Sequence, residues 1–133
     1  ELYSGKVSEE VNNKKIVYDV VKGKKNGRFV TYFENGLVEM IGTIHNNKND
    51  GKWQYFSSNS KLECEGNFKE DKVEGKWSWF YPDGSIKEEG SYTAGKRNGV
   101  WIIYNKDGSL RLKRIFINDE KINEVEYHKV QIS

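Results

Sequence analysis

A short motif recurs along this chain at a fixed spacing of 24 residues. Each copy begins with a glycine, one further residue and an aromatic ring: Gly27-Arg28-Phe29, Gly51-Lys52-Trp53, Gly75-Lys76-Trp77 and Gly99-Val100-Trp101. A period that repeats without insertion is typical of repeat proteins, in which each unit packs only against its neighbours. The sequence therefore predicts a stack of similar units, of which residues 75–97 are the best preserved.

Each unit contains two runs of residues with strand character. The first run follows the glycine and is rich in aromatic and β-branched residues, at 28–33, 52–56, 76–81 and 100–104. The second run alternates apolar and charged residues, which is the period of a strand with one buried face. Turn sequences such as Pro82-Asp83-Gly84 separate the runs and supply the positive φ angles of tight hairpins. Longer loops are expected at 45–50, 69–74 and 93–98. The predicted fold is all-β: a single-layer, elongated antiparallel sheet of consecutive β-hairpin repeats.

The repeat predicts that the whole chain, residues 1–133, forms a single domain. A half repeat at about 13–26 precedes full repeats at 27–50, 51–74, 75–98 and 99–122, and residues 123–133 are expected to form a degenerate closing strand. In the last unit Arg114 stands where earlier units carry glycine, and Glu120 stands where they carry lysine. Atypical terminal units are what a stack needs to cap itself.

Composition limits the classes of function. The chain has 22 basic and 20 acidic residues, so it lacks the basic balance of a nucleic-acid-binding protein. The lone Cys64 cannot form an internal disulfide, so cysteine content does not indicate the cellular compartment of the protein. The chain begins at Glu1 instead of methionine, so we expect an exported or cell-envelope location as one alternative.

The motifs together resemble a known repeat. The Gly-Lys-Trp start, the Asp-Gly turn, and the later Gly-x-Tyr/Phe and Lys-x-x-Gly resemble the MORN repeat, most closely its bacterial variant in the YwqK-type antitoxin family. The resemblance covers about residues 15–127. It implies a row of β-hairpins in one long twisted sheet. It also implies a non-catalytic role in protein contact, dimerisation or membrane association, with an antitoxin-like role as one form of protein contact.

The sequence offers no catalytic, metal or cofactor site. Equivalent carboxylates such as Glu65 and Glu89 would lie two strands apart, about 10 Å, which is wider than the spacing of about 5.5–9.5 Å in glycosidases. We read them as part of a solvated, salt-bridged face. His45 and His128 occupy unrelated positions in the repeat, in a loop and at an edge. We therefore expect no enzyme activity, bound metal or cofactor.

Aromatic residues form two rows. Phe29, Trp53, Trp77 and Trp101 lie at an odd offset from Tyr32, Phe56, Phe80 and Tyr104, so the rows should face opposite sides of the sheet. Gly42, Gly66 and Gly90 would leave room for the tryptophan rings. One face of a single layer could then bind a protein or peptide, with Tyr32, Phe56, Phe80, Tyr81 and Tyr104 as the predicted contacts. The alternative is that long neighbouring side chains cover both rows.

Four lysines also recur at one offset: Lys24, Lys48, Lys72 and Lys96. They could meet acidic lipid headgroups, or they could only keep the turns soluble. Unpaired sheet ends could also join two copies into a homodimer. The sequence therefore predicts a non-catalytic scaffold for protein–protein interaction. The alternative is a peripheral binder of acidic lipid headgroups or a cell-surface component.

Overall fold

The computed structural model describes residues 2–128. These residues form twelve β-strands and no helix. The strands are β1 (Gly5–Val11), β2 (Lys14–Val21), β3 (Lys24–Tyr32), β4 (Val38–His45), β5 (Lys48–Asn49), β6 (Gly51–Phe56), β7 (Leu62–Lys69), β8 (Lys72–Phe80), β9 (Ile86–Thr93), β10 (Lys96–Tyr104), β11 (Leu110–Ile117) and β12 (Glu120–Glu126). In the described residues no helix has the length and apolarity to cross a membrane.

All strands belong to one open antiparallel sheet in which neighbours in space are neighbours in sequence. The short β5 is the start of the strand that β6 continues, and it pairs with the end of β4. This arrangement confirms the predicted single-layer sheet of consecutive hairpins. The first strand, β1, extends the array beyond the predicted half repeat, and the last five residues of the predicted closing segment lie outside the described part.

The turns at one end of the hairpins are shorter than predicted. Each consists of two residues that both have positive φ, as at Asn46 (48°) and Asn47 (68°) or at Glu70 (47°) and Asp71 (70°). Positive φ at both central residues matches the right-handed twist of the flanking strands. The predicted loops at 45–50, 69–74 and 93–98 were therefore wrong: strand pairing continues to the turn, and the first strand of each unit begins three residues before its motif glycine.

The turns at the other end are the longer ones. The Phe33 N–H donates to the Leu37 carbonyl (2.8 Å), and the Gly36 N–H donates to the Phe33 carbonyl (2.9 Å). Only the residue at the Gly36 position has positive φ in each copy, and in the second unit it is Ser60 (65°). The tight two-residue geometry expected from Asn-Gly and Asp-Gly is thus absent here, although these turns do reverse the chain as predicted.

The core is a line of aromatic rings on one face of the sheet. Trp53, Trp77 and Trp101 have exposed fractions of 2%, 5% and 4%, and each indole lies over the glycine of the preceding strand. Phe68 packs edge-on between Trp53 and Trp77, with ring centroids 5.8 Å and 5.4 Å away. We call this side the Trp face, and the other side, which carries Lys52 and Gln54, the reverse face.

Candidate functional site

Four of the five aromatic residues predicted to contact a partner lie on the reverse face. Each is the last residue of its strand and is half-buried: Tyr32 in β3, Phe56 in β6, Phe80 in β8 and Tyr104 in β10. Because side chains alternate along a strand, they point to the opposite side from Phe29 and the three tryptophans that lie three residues earlier. The structure therefore separates the two aromatic rows onto the two faces.

Four aliphatic residues complete this row, and the sequence reasoning did not assign them to it. Each pairs directly across the strand with one aromatic residue: Val38 with Tyr32, Leu62 with Phe56, Ile86 with Phe80 and Leu110 with Tyr104. Their spacing of 24 residues was visible in the sequence. Which face of the sheet they occupy depends on a shift in the pairing register just before each pair. We call these eight residues the apolar strip.

The apolar strip is accessible because residues 2–128 form no second layer over the sheet. Ile86 has an exposed fraction of 36% and Leu110 of 42%. The Lys15 ammonium lies 6.0 Å from the centre of the Tyr32 ring, so a long side chain shields one end only in part. Aromatic and aliphatic side chains in one continuous, partly exposed row are typical of the centre of a protein interface.

A groove opens into the apolar strip between successive long turns. Leu62, Phe80, Tyr81 and Pro82 line it together with Lys61. The predicted contact Tyr81 is held in place because its hydroxyl donates to the Tyr104 carbonyl (2.6 Å). This hydrogen bond fixes the Tyr81 side chain before any partner arrives, which reduces the entropy cost of ordering it on binding.

A band of polar side chains borders the apolar strip on the reverse face. Lys52 pairs with Glu65 (3.1 Å) and Lys76 pairs with Glu89 (3.2 Å). The Tyr104 hydroxyl donates to Glu89 Oε1 (2.9 Å), and this hydrogen bond raises the pKa of Tyr104. Glu65 and Glu89 are thus each paired with a lysine on this face.

The recurring lysines lie at the far edge of the same face. Lys24, Lys48, Lys72 and Lys96 are exposed and begin their strands, so placing Lys48 in a loop was wrong. Because the turns contain only two residues, His45 pairs directly with Lys48 and Lys69 with Lys72. His45 thus ends β4 and does not lie in a loop.

Within residues 2–128 none of these lysines forms an ion pair. The carboxylates of Asp50 and Glu74 follow two residues after Lys48 and Lys72 on their strands. Glu74 accepts a hydrogen bond from the Ala94 N–H (2.8 Å). The edge therefore carries both signs of charge, with the lysines outermost.

Other reactive groups are dispersed. Cys64 is half-buried on the Trp face between Tyr55 and Trp79, its cross-strand neighbours. Burial, followed by the nearby Glu63 and Glu65, raises the pKa of its thiol to about 11. In the described part of the chain, no three His, Cys, Asp or Glu side chains come together as metal ligands do.

Comparison with known protein families matches two of the repeat units. The family described as "MORN repeat variant" matches residues 49–70 and 73–94, which correspond to the second and third predicted units. No curated protein sequence matches the chain.

Solved structures show partial similarity. The Glycosylation Associate Protein (Gap123) complex from Streptococcus agalactiae is 17% identical, covers 77% of this chain and 19% of that chain, and has a TM-score of 0.45. The GtfA/B complex is 17% identical, with 75% and 20% coverage and a TM-score of 0.43. A mutant of S. aureus TarM with Fondaparinux, alpha-GlcNAc-glycerol and UDP is 13% identical, with 88% and 21% coverage and a TM-score of 0.42. The chain spans about a fifth of the length of these proteins.

Proposed function

We propose that this chain, two of whose units match the MORN repeat variant, is a non-catalytic scaffold that binds a protein partner through its reverse face. The observation that carries the proposal is the apolar strip, which extends across eight strands from Tyr32 to Leu110 and has no second layer above it in the described part of the chain. Burying such a strip against a partner would gain roughly 25 cal/mol per Å² of apolar surface.

The non-catalytic part of the proposal is supported by the state of the acidic groups. Glu65 and Glu89 are held by Lys52 and Lys76. A thin sheet also offers shallow grooves instead of the deep pocket in which enzymes exclude water. The groove between Leu62 and Phe80 suits a partner's side chain better than a substrate that must be enclosed.

Site-specific photo-crosslinking in the native host tests the proposal. A photoreactive phenylalanine analogue at position 86 should give a discrete adduct with one partner, because Ile86 lies in the apolar strip. Position 100 is the matched control, because Val100 is also an exposed aliphatic strand residue (45%, against 36% for Ile86) and lies on the same face outside the strip. The same adducts from both positions, or no adduct from position 86, would overturn the proposal.

The identity of the crosslinked partner also tests the finer, antitoxin-like reading. A toxin whose activity the protein suppresses would support that reading. A partner without toxic activity would remove it and leave the scaffold function intact. A crosslink to a second copy of this chain would support homodimerisation instead.

Binding to acidic lipid headgroups is the second candidate function, and the unpaired lysine row favours it. Neighbouring strands in a sheet rotate by about 20°, so from Lys24 to Lys96 the row turns through a large angle. Only a few neighbouring lysines of the row, such as Lys48 and Lys72, could contact a flat bilayer together. Flotation with anionic vesicles at low and physiological salt, using Lys48→Gln/Lys72→Gln as the variant, tests this function. No flotation of the unmodified protein at low salt excludes lipid binding.

A further inference from the structure

The third unit departs from the others at two facing positions on the Trp face. Equivalent positions in the four units carry Met40, Cys64, Glu88 and Leu112 on the second strand. On the first strand they carry Thr31, Tyr55, Trp79 and Ile103. The third unit alone therefore combines a carboxylate with an indole ring, and Trp79 and Glu88 are direct cross-strand partners.

Trp79 differs from the other three tryptophans. Trp53, Trp77 and Trp101 are buried, and their indole N–H groups donate to backbone carbonyls. Trp79 is half-buried, and its N–H has no hydrogen-bond acceptor among residues 2–128. Its ring is held at a fixed angle by its neighbours, with centroids 6.3 Å from Trp77 and 5.6 Å from Trp101. It thus offers a rigid, partly open aromatic surface.

Glu88 also lacks a partner within residues 2–128, in contrast to the half-buried glutamates Glu65 and Glu89. Glu65 and Glu89 are half-buried like Glu88, but each is paired with a lysine. Glu88 forms no ion pair or hydrogen bond within the described residues, and its cross-strand neighbours are Trp79 and Ile103. A partly desolvated carboxylate without a partner lowers stability, so the repeat gains nothing structurally by replacing the apolar residue found here in other units.

We propose that Trp79 and Glu88 form a binding site for an arginine side chain of a partner protein. Side chains of direct cross-strand partners begin about 5 Å apart, so one guanidinium group can lie over the indole ring and still reach the carboxylate. A planar guanidinium satisfies both groups, since it stacks on aromatic faces and donates two parallel hydrogen bonds to a carboxylate. Lysine offers only a point charge and fits this geometry less well.

The site is independent of the apolar strip, because it lies on the opposite face of the sheet. Its flanks are apolar: Cys64 pairs with Trp79 on one side, and Ile103 pairs with Glu88 on the other. No Lys or Arg in the described part of the chain lies over the Trp79 ring, although several such cation–ring contacts exist elsewhere. The protein therefore does not fill the site with its own cation.

An NMR titration of the ¹⁵N-labelled protein tests the inference. The probe is N-acetyl-arginine methylamide, and the matched neutral control is the citrulline analogue, which has almost the same shape but no charge. The arginine probe should shift the Trp79 indole N–H and the Glu88 amide signals at constant ionic strength, and the citrulline probe should not. Equal shifts from both probes, or no shift from the arginine probe, would overturn the inference.

Two substitutions sharpen the test. Glu88→Gln keeps the size of the side chain and should weaken binding of the arginine probe by about tenfold or more, because a charge-assisted hydrogen bond is lost. Glu63→Gln, one position before Cys64 and exposed, is the matched control and should leave binding unchanged. Unchanged binding by Glu88→Gln would overturn the site even if the photo-crosslink at position 86 persists, so the two proposals fail separately.

Discussion

The indole ring of Trp77 occupies the space where Gly66 would otherwise carry a side chain, and its N–H donates to the carbonyl of the next residue, Asn67 (3.0 Å). Gly66 itself is skipped by the pairing with β8, which passes from Glu65–Ser78 to Asn67–Glu74. The tryptophan therefore closes a gap in the ladder of backbone hydrogen bonds. Trp53 over Gly42 and Trp101 over Gly90 repeat this arrangement.

Replacing Gly66 with alanine should destabilise the protein by about 3 kcal/mol, because the new methyl group would overlap the Trp77 ring and force it to move. A Cβ at this position would lie well inside 3.0 Å of the ring. Urea unfolding measures the effect. Gly84→Ala is the control, because an added methyl group at residue 84 would meet no other atom within residues 2–128 and only the positive φ (90°) disfavours it. This substitution should lower the free energy of unfolding by about 1 kcal/mol. Equal losses would show that packing against Trp77 is not the cause.

Trp77 and Trp79 should respond differently to substitution with phenylalanine. Trp77→Phe removes the hydrogen bond to the Asn67 carbonyl and leaves a hole in the core, so we expect a loss of about 2–3 kcal/mol. Trp79 is half-buried and donates no hydrogen bond within the described residues, so Trp79→Phe should cost less than about 1 kcal/mol. Chemical denaturation of both variants measures the difference, and a larger loss at Trp79 would contradict this account of the core.

One turn residue is poorly suited to its backbone conformation. Glu70 has a φ of 47°, a region that asparagine tolerates much better than glutamate. Glu70→Asn should therefore raise the free energy of unfolding by about 0.5–1 kcal/mol, measured as a rise in the thermal midpoint. Glu63→Asn, at an exposed strand position, should give no gain because asparagine is disfavoured in strands. A gain at residue 63 alone would refute the turn explanation.

The thiol of Cys64 should resist alkylation in the folded protein. Burial raises its pKa from 9.0 to about 11, so the neutral thiol is favoured by folding. This contribution to stability is present below pH 9 and is lost as the pH rises through about 11. The rate of reaction with iodoacetamide should show a midpoint near pH 11 in the native protein and near 9 in urea. At pH 8 the native rate should be about 100-fold lower, because only the thiolate reacts; a native midpoint near 9 would contradict the prediction.

Much of the fold followed from the period and the alternation. The spacing of Gly51, Gly75 and Gly99 gave the repeat, and the alternation in residues 62–68 gave the second strand of each hairpin. Only part of the candidate site could be predicted from the sequence. Phe56 and Phe80 belong to an aromatic row that recurs every 24 residues. Leu62 and Ile86 lie beside them only because the pairing register of the strands shifts at these positions. Such a shift depends on backbone hydrogen bonds across strands, which no local residue pattern specifies.

The sequence by itself determined the 24-residue unit, the all-β class and the antiparallel order, because these depend on local propensity, turn residues and side-chain alternation. Only the tertiary structure decided where the turns are tight, which side chains complete the apolar strip, and that Glu88 faces Trp79 without a cation. Those features depend on which residues meet across neighbouring strands. Contact across strands is set by register, and register depends on the geometry of the turns and on which face of each strand is buried.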